Sequence, residues 1–269
     1  MSSHFLPYQN HRIHFHKFGH GDRLLIALHG FGDQSSIFHK LEPALASHFT
    51  TYALDLPFHG QTRWTATSYT AQDILQLLQL IAKQEQQNTF SLMGYSLGGR
   101  IVLRLLPELL PQLERIFLLA PDGLRTQWMT SVTRTPVWLR LAAKRALQNP
   151  KWLLKLSGVL HRQRWLGAFP YRFVQTHLAN PQRQARLFGT WLSLDGFRVH
   201  PGQIHQLLDE NQLPTDFYFG QHDPIIRPVS AATLADLPNV NIHIVETGHQ
   251  LVGTQVRDLL WQQLSENGA

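Results

Sequence analysis

The chain has 269 residues, 43% of them apolar and 16% charged, enough to bury one substantial core and too apolar for a disordered polymer. It contains no cysteine, which excludes disulfides, thiolate metal sites and cysteine nucleophiles in one step. The net charge of +6 is concentrated: residues 122–205 carry 13 Lys or Arg against Asp122 and Asp195, whereas the remainder has 11 basic and 16 acidic residues. No reading motif for nucleic acid accompanies that basic segment, so nucleic acid is not an expected partner.

The first residues hold no apolar run of signal-peptide length, and no stretch approaches the roughly 18 apolar residues of a membrane span; a cytoplasmic protein is expected. Short apolar runs then alternate with segments of helical period, as in a mostly parallel sheet with crossover helices. Strands are expected at Arg12–Phe18 and Leu24–Leu28, the second leading into His29-Gly30-Phe31-Gly32. A third, Thr51–Leu56, runs into Asp55-Leu56-Pro57-Phe58-His59-Gly60. A helix from Ala71 presents Ile74, Leu75, Leu78, Ile81 and Ala82 on one face, and Thr70 with Asp73 three residues on supplies a capping-box start.

The strand Phe90–Met93 is followed by Gly94-Tyr95-Ser96-Leu97-Gly98 and a helix that Pro107 should end. This G-x-S-x-G pattern between a strand and a helix is where a nucleophile elbow must sit, because a sharp turn lifts the serine hydroxyl clear of the sheet. After the strand Ile116–Leu119, the segment 122–205 breaks the rhythm with Arg- and Trp-rich helical stretches, among them Trp128, Trp138, Trp152, Trp165 and Trp191. It is far longer than a connection needs and reads as a helical insertion, a cap or lid, on a body made of 1–121 and 206–269. Basic helices interleaved with Trp suit an anionic substrate or peripheral contact with an anionic membrane. The strands Phe217–Phe219 and Asn241–Val245 lead into Gln221-His222-Asp223-Pro224 and Glu246-Thr247-Gly248-His249, and a last helix runs from Val252 to Leu264.

A serine hydroxyl needs a base, and the base needs a group to orient it. Ser96, then Asp223, then His249 satisfies the chain order of that arrangement, with both partners at the C-terminal ends of strands. Asp122 competes for the acid, since it too follows a strand downstream of Ser96. Oxyanion donors are expected from the backbone N–H groups of Leu97 and Phe31.

Together these residues resemble the α/β-hydrolase superfamily. The resemblance spans the chain outside the insertion and implies an α/β fold with an eight-stranded, mostly parallel sheet flanked by helices, a helical cap after the sixth strand, and chemistry that needs no metal or organic cofactor. Phe58 departs from it, standing where the family's D-x-P-G-x-G turn has a glycine. Serine at the elbow points away from the branches that carry aspartate there. The resemblance leaves esterases, thioesterases, lipases, peptidases, C–C bond hydrolases and a few lyases, and names no substrate; the leading expectation among them is hydrolysis of a carboxylic ester or thioester, acyl chains included, through an acyl-enzyme. The run Gly94 to Arg100 is also similar to the elbow of the SHCHC synthases of menaquinone biosynthesis. That likeness makes Arg100, one turn beyond the serine, and Tyr95 candidate substrate-binding residues, with a carboxylate substrate and lyase chemistry as the alternative. A hydrolase fold kept as a non-catalytic binding module is the third reading.

Overall fold

A computed structural model describes residues 1–124, 151–178 and 180–266. Eight strands form one sheet: β1 (Ser2–Tyr8), β2 (His11–Phe18), β3 (Arg23–Leu28), β4 (Phe49–Leu54), β5 (Phe90–Tyr95), β6 (Leu113–Leu119), β7 (Thr215–Gly220) and β8 (Val240–Val245). Their order is β1-β2-β4-β3-β5-β6-β7-β8. β1 and β2 run antiparallel to their neighbours, and every pairing from β4 to β8 is parallel. The near-continuous apolar runs of β3, β5 and β6 fit this, because helices cover both faces of a central parallel strand and neither face meets water.

Seven strands coincide with the expected ones, and β1 is additional. Its outer position explains why the pattern hides it: most of SSHFLPY is exposed, and Pro7 is tolerated on an edge strand that needs few ladder donors.

The described helices are the single turn α1 (Glu42–Leu45), α2 (Ala71–Gln84), α3 (Leu97–Leu109), α4 (Lys151–Arg162), α5 (Ala168–Leu178), α6 (Pro181–Ser193), α7 (Pro201–Asn211) and α8 (Thr254–Glu266). The Thr70–Asp73 capping box of α2 is formed in both directions. α3 does not stop at Pro107 but carries it in its last turn. A proline there removes one backbone donor, and burial of Leu105, Leu106 and Leu109 outweighs that loss. α8 buries Val256, Leu260 and Leu264 at a spacing of four.

Between β6 and β7 every described element is helical. The boundary expected at 205/206 falls inside α7, whose Ile204 and Leu208 belong to the same core as the sheet. Trp128 and Trp138, with the stretch around them, lie outside the described residues, as does the side chain of Trp152. Trp191 packs against the core, and Trp165 is 79% exposed.

One buried polar cluster closes the β4 turn. The Asp55 carboxylate accepts from the Ser35 N–H at 2.6 Å, the Gln61 N–H at 2.7 Å and His14 Nδ1 at 2.7 Å. His14 Nε2 meets the Ser3 hydroxyl at 2.8 Å. Burial pushes the Asp55 carboxyl up, but the hydrogen bonds from Ser35 and Gln61 outweigh it and hold its pKa below the ordinary value.

Candidate active site

Ser96 follows β5 directly and caps α3 with φ +51° and ψ −108°, a backbone conformation that costs a non-glycine residue on the order of 1–3 kcal/mol. The neighbours hold it there. Its N–H donates to the Leu119 carbonyl at 2.9 Å, and its carbonyl accepts from the N–H groups of Arg100 and Asp122, each at 3.1 Å. The flanking glycines are demanded by close approach: a Cβ on Gly98 would lie 2.0 Å from the Leu28 carbonyl oxygen, and one on Gly94 would lie 2.7 Å from the Gly99 backbone.

His249, beyond β8, points Nε2 at the Ser96 Oγ from 3.1 Å and holds its Nδ1 2.7 Å from the Asp223 Oδ2. The other Asp223 oxygen accepts the N–H groups of Ile225 and Ile226 at 2.7 and 3.0 Å. Burial would raise this carboxyl, yet the hydrogen bonds from His249, Ile226 and Ile225 prevail and lower its pKa. An ionised Asp223 requires the proton on Nδ1 of His249 and leaves Nε2 to accept from Ser96. His222 is exposed, and its backbone N–H donates to the Thr247 carbonyl at 3.0 Å.

The loop after β3 lies alongside. The Gly98 N–H donates to the His29 carbonyl at 3.1 Å, joining the start of α3 to the residue that opens this loop. Gly30 to Asp33 form a turn closed by the Asp33 N–H on the Gly30 carbonyl at 3.2 Å, with Gly32 at φ +86° as a type II turn requires of its third residue. Phe31 is half-buried and sets its ring edge-on to His59, 5.8 Å away. His29 Nδ1 donates to the Gly30 carbonyl at 2.7 Å, and its Nε2 accepts the Leu56 N–H at 3.1 Å. Complete burial pushes its pKa down to about 4, so the ring is neutral.

Arg100 and Tyr95, the two expected substrate-binding residues, are both buried beside Ser96. Arg100 is 2% exposed, its Nε donates to the Asp122 Oδ2 at 2.8 Å, Nη1 reaches the Phe197 carbonyl at 3.4 Å, and Nη2 is buried with no acceptor among the described residues. Position i+4 from Ser96 shares a helix face with it, but that face is covered here by the chain leaving β6. The same pair removes Asp122 as an alternative acid. Tyr95 is likewise buried, and its hydroxyl donates to the His249 carbonyl at 3.0 Å, so it supports the histidine loop from below. Burial and the nearby Asp33 and Asp223 carboxylates push its phenol well above the ordinary value.

Sequence reasoning missed Asp33 and Arg186. Burial raises the Asp33 carboxyl, opposed by His249 and Arg186. Arg186 of α6 donates to the Gly32 carbonyl at 3.1 Å across 154 positions of chain, a pairing for which the sequence holds no local signal. Among the described residues no group of three or more His, Asp or Glu is placed to hold a metal ion.

A serine, an imidazole and a carboxylate in this geometry, beside a helix N-terminus and a glycine-rich turn, can carry acyl transfer. The sequence model of the alpha/beta hydrolase family matches residues 25–258. The chain is 26% identical over 251 residues to the hydrolase YugF of Bacillus subtilis, covering 91% of this chain and 90% of that one. It is 30% identical over 90 residues to the pimeloyl-[acyl-carrier protein] methyl ester esterase of Yersinia pestis, a match over 34% of this chain and 33% of that enzyme. Among solved structures, a thermophilic esterase from Thermogutta terrifontis superposes with a TM-score of 0.70 at 16% identity, over 99% of this chain and 97% of the other.

Proposed function

The chain belongs to the alpha/beta hydrolase family, and on that premise we propose that it cleaves a small carboxylic ester or thioester through an acyl-enzyme formed on Ser96. The observation that carries this reading is the continuous line from Asp223 to His249 to Ser96, 2.7 and 3.1 Å long. Ser96 attacks the carbonyl carbon while its proton passes to His249 Nε2. The oxyanion that forms is held by the N–H groups of Leu97 and Phe31. His249 then protonates the departing alcohol or thiol, Asp223 stabilises the transient imidazolium, and water repeats the sequence to release the acid. The partial match to a pimeloyl methyl ester esterase supports an acyl substrate.

The lyase alternative would draw on Arg100, which pairs with Asp122 through Nε and keeps Nη2 without an acceptor among the described residues. The helices α4 to α6 serve as a lid over the strand ends, with the lid ending before Pro201. On α4 and the turn after it, Leu156, Val159 and Trp165 are 42%, 48% and 79% exposed. They lie beside the exposed Lys155, Arg162 and Arg164, a composition that suits an anionic lipid surface.

The test is turnover of p-nitrophenyl acyl esters of increasing chain length by the parent protein and by Ser96→Ala. An initial burst in the parent and a loss of kcat of roughly 10⁴-fold or more in the variant are expected. Equal rates in the two proteins would remove Ser96 as nucleophile.

A further inference from the structure

Phe58, the residue that departs from the family's turn, sits at φ +66°, a region that side chains bearing a Cβ seldom enter. Its ring lies against α6 at Gly189, where an added Cβ would fall 2.3 Å from the Phe58 Cε2. The bulky residue in the turn and the missing side chain on the helix therefore match in shape. Gly189 shares a helix face with Arg186 and Ser193, three residues before it and four after. Ser193 Oγ accepts the Tyr69 N–H at 2.8 Å and donates to the Gly189 carbonyl at 2.7 Å. One turn toward the start of α6, Arg186 Nη1 donates to the Gly32 carbonyl at 3.1 Å. The Arg186 Nε is buried and finds no acceptor among the described residues.

The inner face of α6 thus grips the loops after β3 and β4 at successive positions. The β3 loop is the turn Gly30–Asp33, and it is pinned at two carbonyls. Gly30 is held by the His29 imidazole and the Asp33 N–H, and Gly32 is held by Arg186. Phe31, whose N–H is read above as an oxyanion donor, lies between the two pins. We propose that Arg186 is a positioning residue for the oxyanion loop, and that the Phe58–Gly189 contact sets the depth at which α6 delivers it. This rests on the hydrolase reading and deepens it: a segment of the helical insertion completes the oxyanion site.

The experiment measures kcat and KM on a p-nitrophenyl ester for the parent, Arg186→Ala, Arg186→Gln and Arg186→Lys, with thermal unfolding recorded for each. Arg186→Ala should lose roughly 10- to 100-fold in kcat, the cost of a misplaced donor, with KM within about threefold of the parent. Millimolar guanidinium chloride should restore part of the lost kcat in Arg186→Ala and leave the parent unchanged, and Arg186→Lys should exceed Arg186→Gln. If Arg186→Ala does not fold, the Lys and Gln variants carry the comparison, and equal kcat in those two overturns the proposal. So does a kcat within about twofold of the parent, a change confined to KM, or a loss that neither guanidinium nor lysine repairs. A parent with no Ser96-dependent turnover would overturn both the hydrolase reading and this inference; an active parent with unchanged Arg186 variants overturns the inference alone.

Discussion

The two ring nitrogens of His29 have opposite duties, one donating to Gly30 and one accepting from Leu56, and a second proton would break the latter bond. Its pKa of about 4 lies below the 6.5 of an unfolded histidine, so the unfolded chain takes up the proton first as pH falls. Stability from this residue is complete above pH 6.5 and declines as pH falls from there toward about 4, by about 3 kcal/mol in all. Urea unfolding between pH 7 and pH 4.5 should therefore show a steeper acid loss in the parent than in His29→Asn, whose side chain does not titrate in this range. Parallel pH profiles would refute the assignment. At this scale the meeting of Ser96, Asp223 and His249 was legible because all three follow strand ends in the order such an arrangement takes. The partners of Arg100 and Tyr95 were not, because what a side chain meets depends on which distant segment covers it. Asp122 on the one and the His249 carbonyl on the other are tertiary facts.

Helices with one apolar stripe were easy to place, and α2 occupies the stretch that its stripe and its Thr70 cap announce. β1 escaped because an edge strand with little buried surface carries no alternation strong enough to notice. α3 ran past Pro107 because tertiary burial of its last leucines outweighs a local penalty. At α4 an exposed apolar pair beside basic residues leads to a measurable expectation. The protein should sediment with vesicles containing anionic phosphatidylglycerol and not with neutral phosphatidylcholine vesicles, and salt should release it, since each nearby Lys or Arg contributes about 1 kcal/mol. Trp165→Ala should weaken the association. A parent that stays in the supernatant with both kinds of vesicle would end the membrane reading.

Across the whole molecule, the parallel sheet was readable from the alternation of strands and helices, and the described part of the insertion is helical as its composition suggested. How the insertion meets the sheet was not readable, since it depends on contacts between residues about a hundred or more positions apart, such as Arg100 to Phe197 and Arg186 to Gly32. Arg100 and Asp122 form an ion pair 3% and 6% exposed at their side chains, joining the elbow helix to the exit of β6. Removing one partner strands a buried charge, so Asp122→Ala should destabilise by about 3–5 kcal/mol, whereas Arg100→Met with Asp122→Leu should cost distinctly less. Chemical denaturation of the three proteins would decide it; equal losses in the single and double variants would mean that the pair's charges are not what matters.

The cluster at the β4 turn turns the protein into its own control for what makes a serine reactive. Ser3, His14 and Asp55 reproduce the donor–acceptor chain of Ser96, His249 and Asp223, at 2.8 and 2.7 Å. Yet Ser3 sits within a regular edge strand, with neither a strained turn beneath it nor the first turn of a helix behind it. If proximity of hydroxyl, imidazole and carboxylate were sufficient, a fluorophosphonate would mark both serines. Peptide mapping after such labelling should find the adduct on Ser96 alone, and modification of Ser3 would show that the elbow contributes less to reactivity than its strained geometry implies.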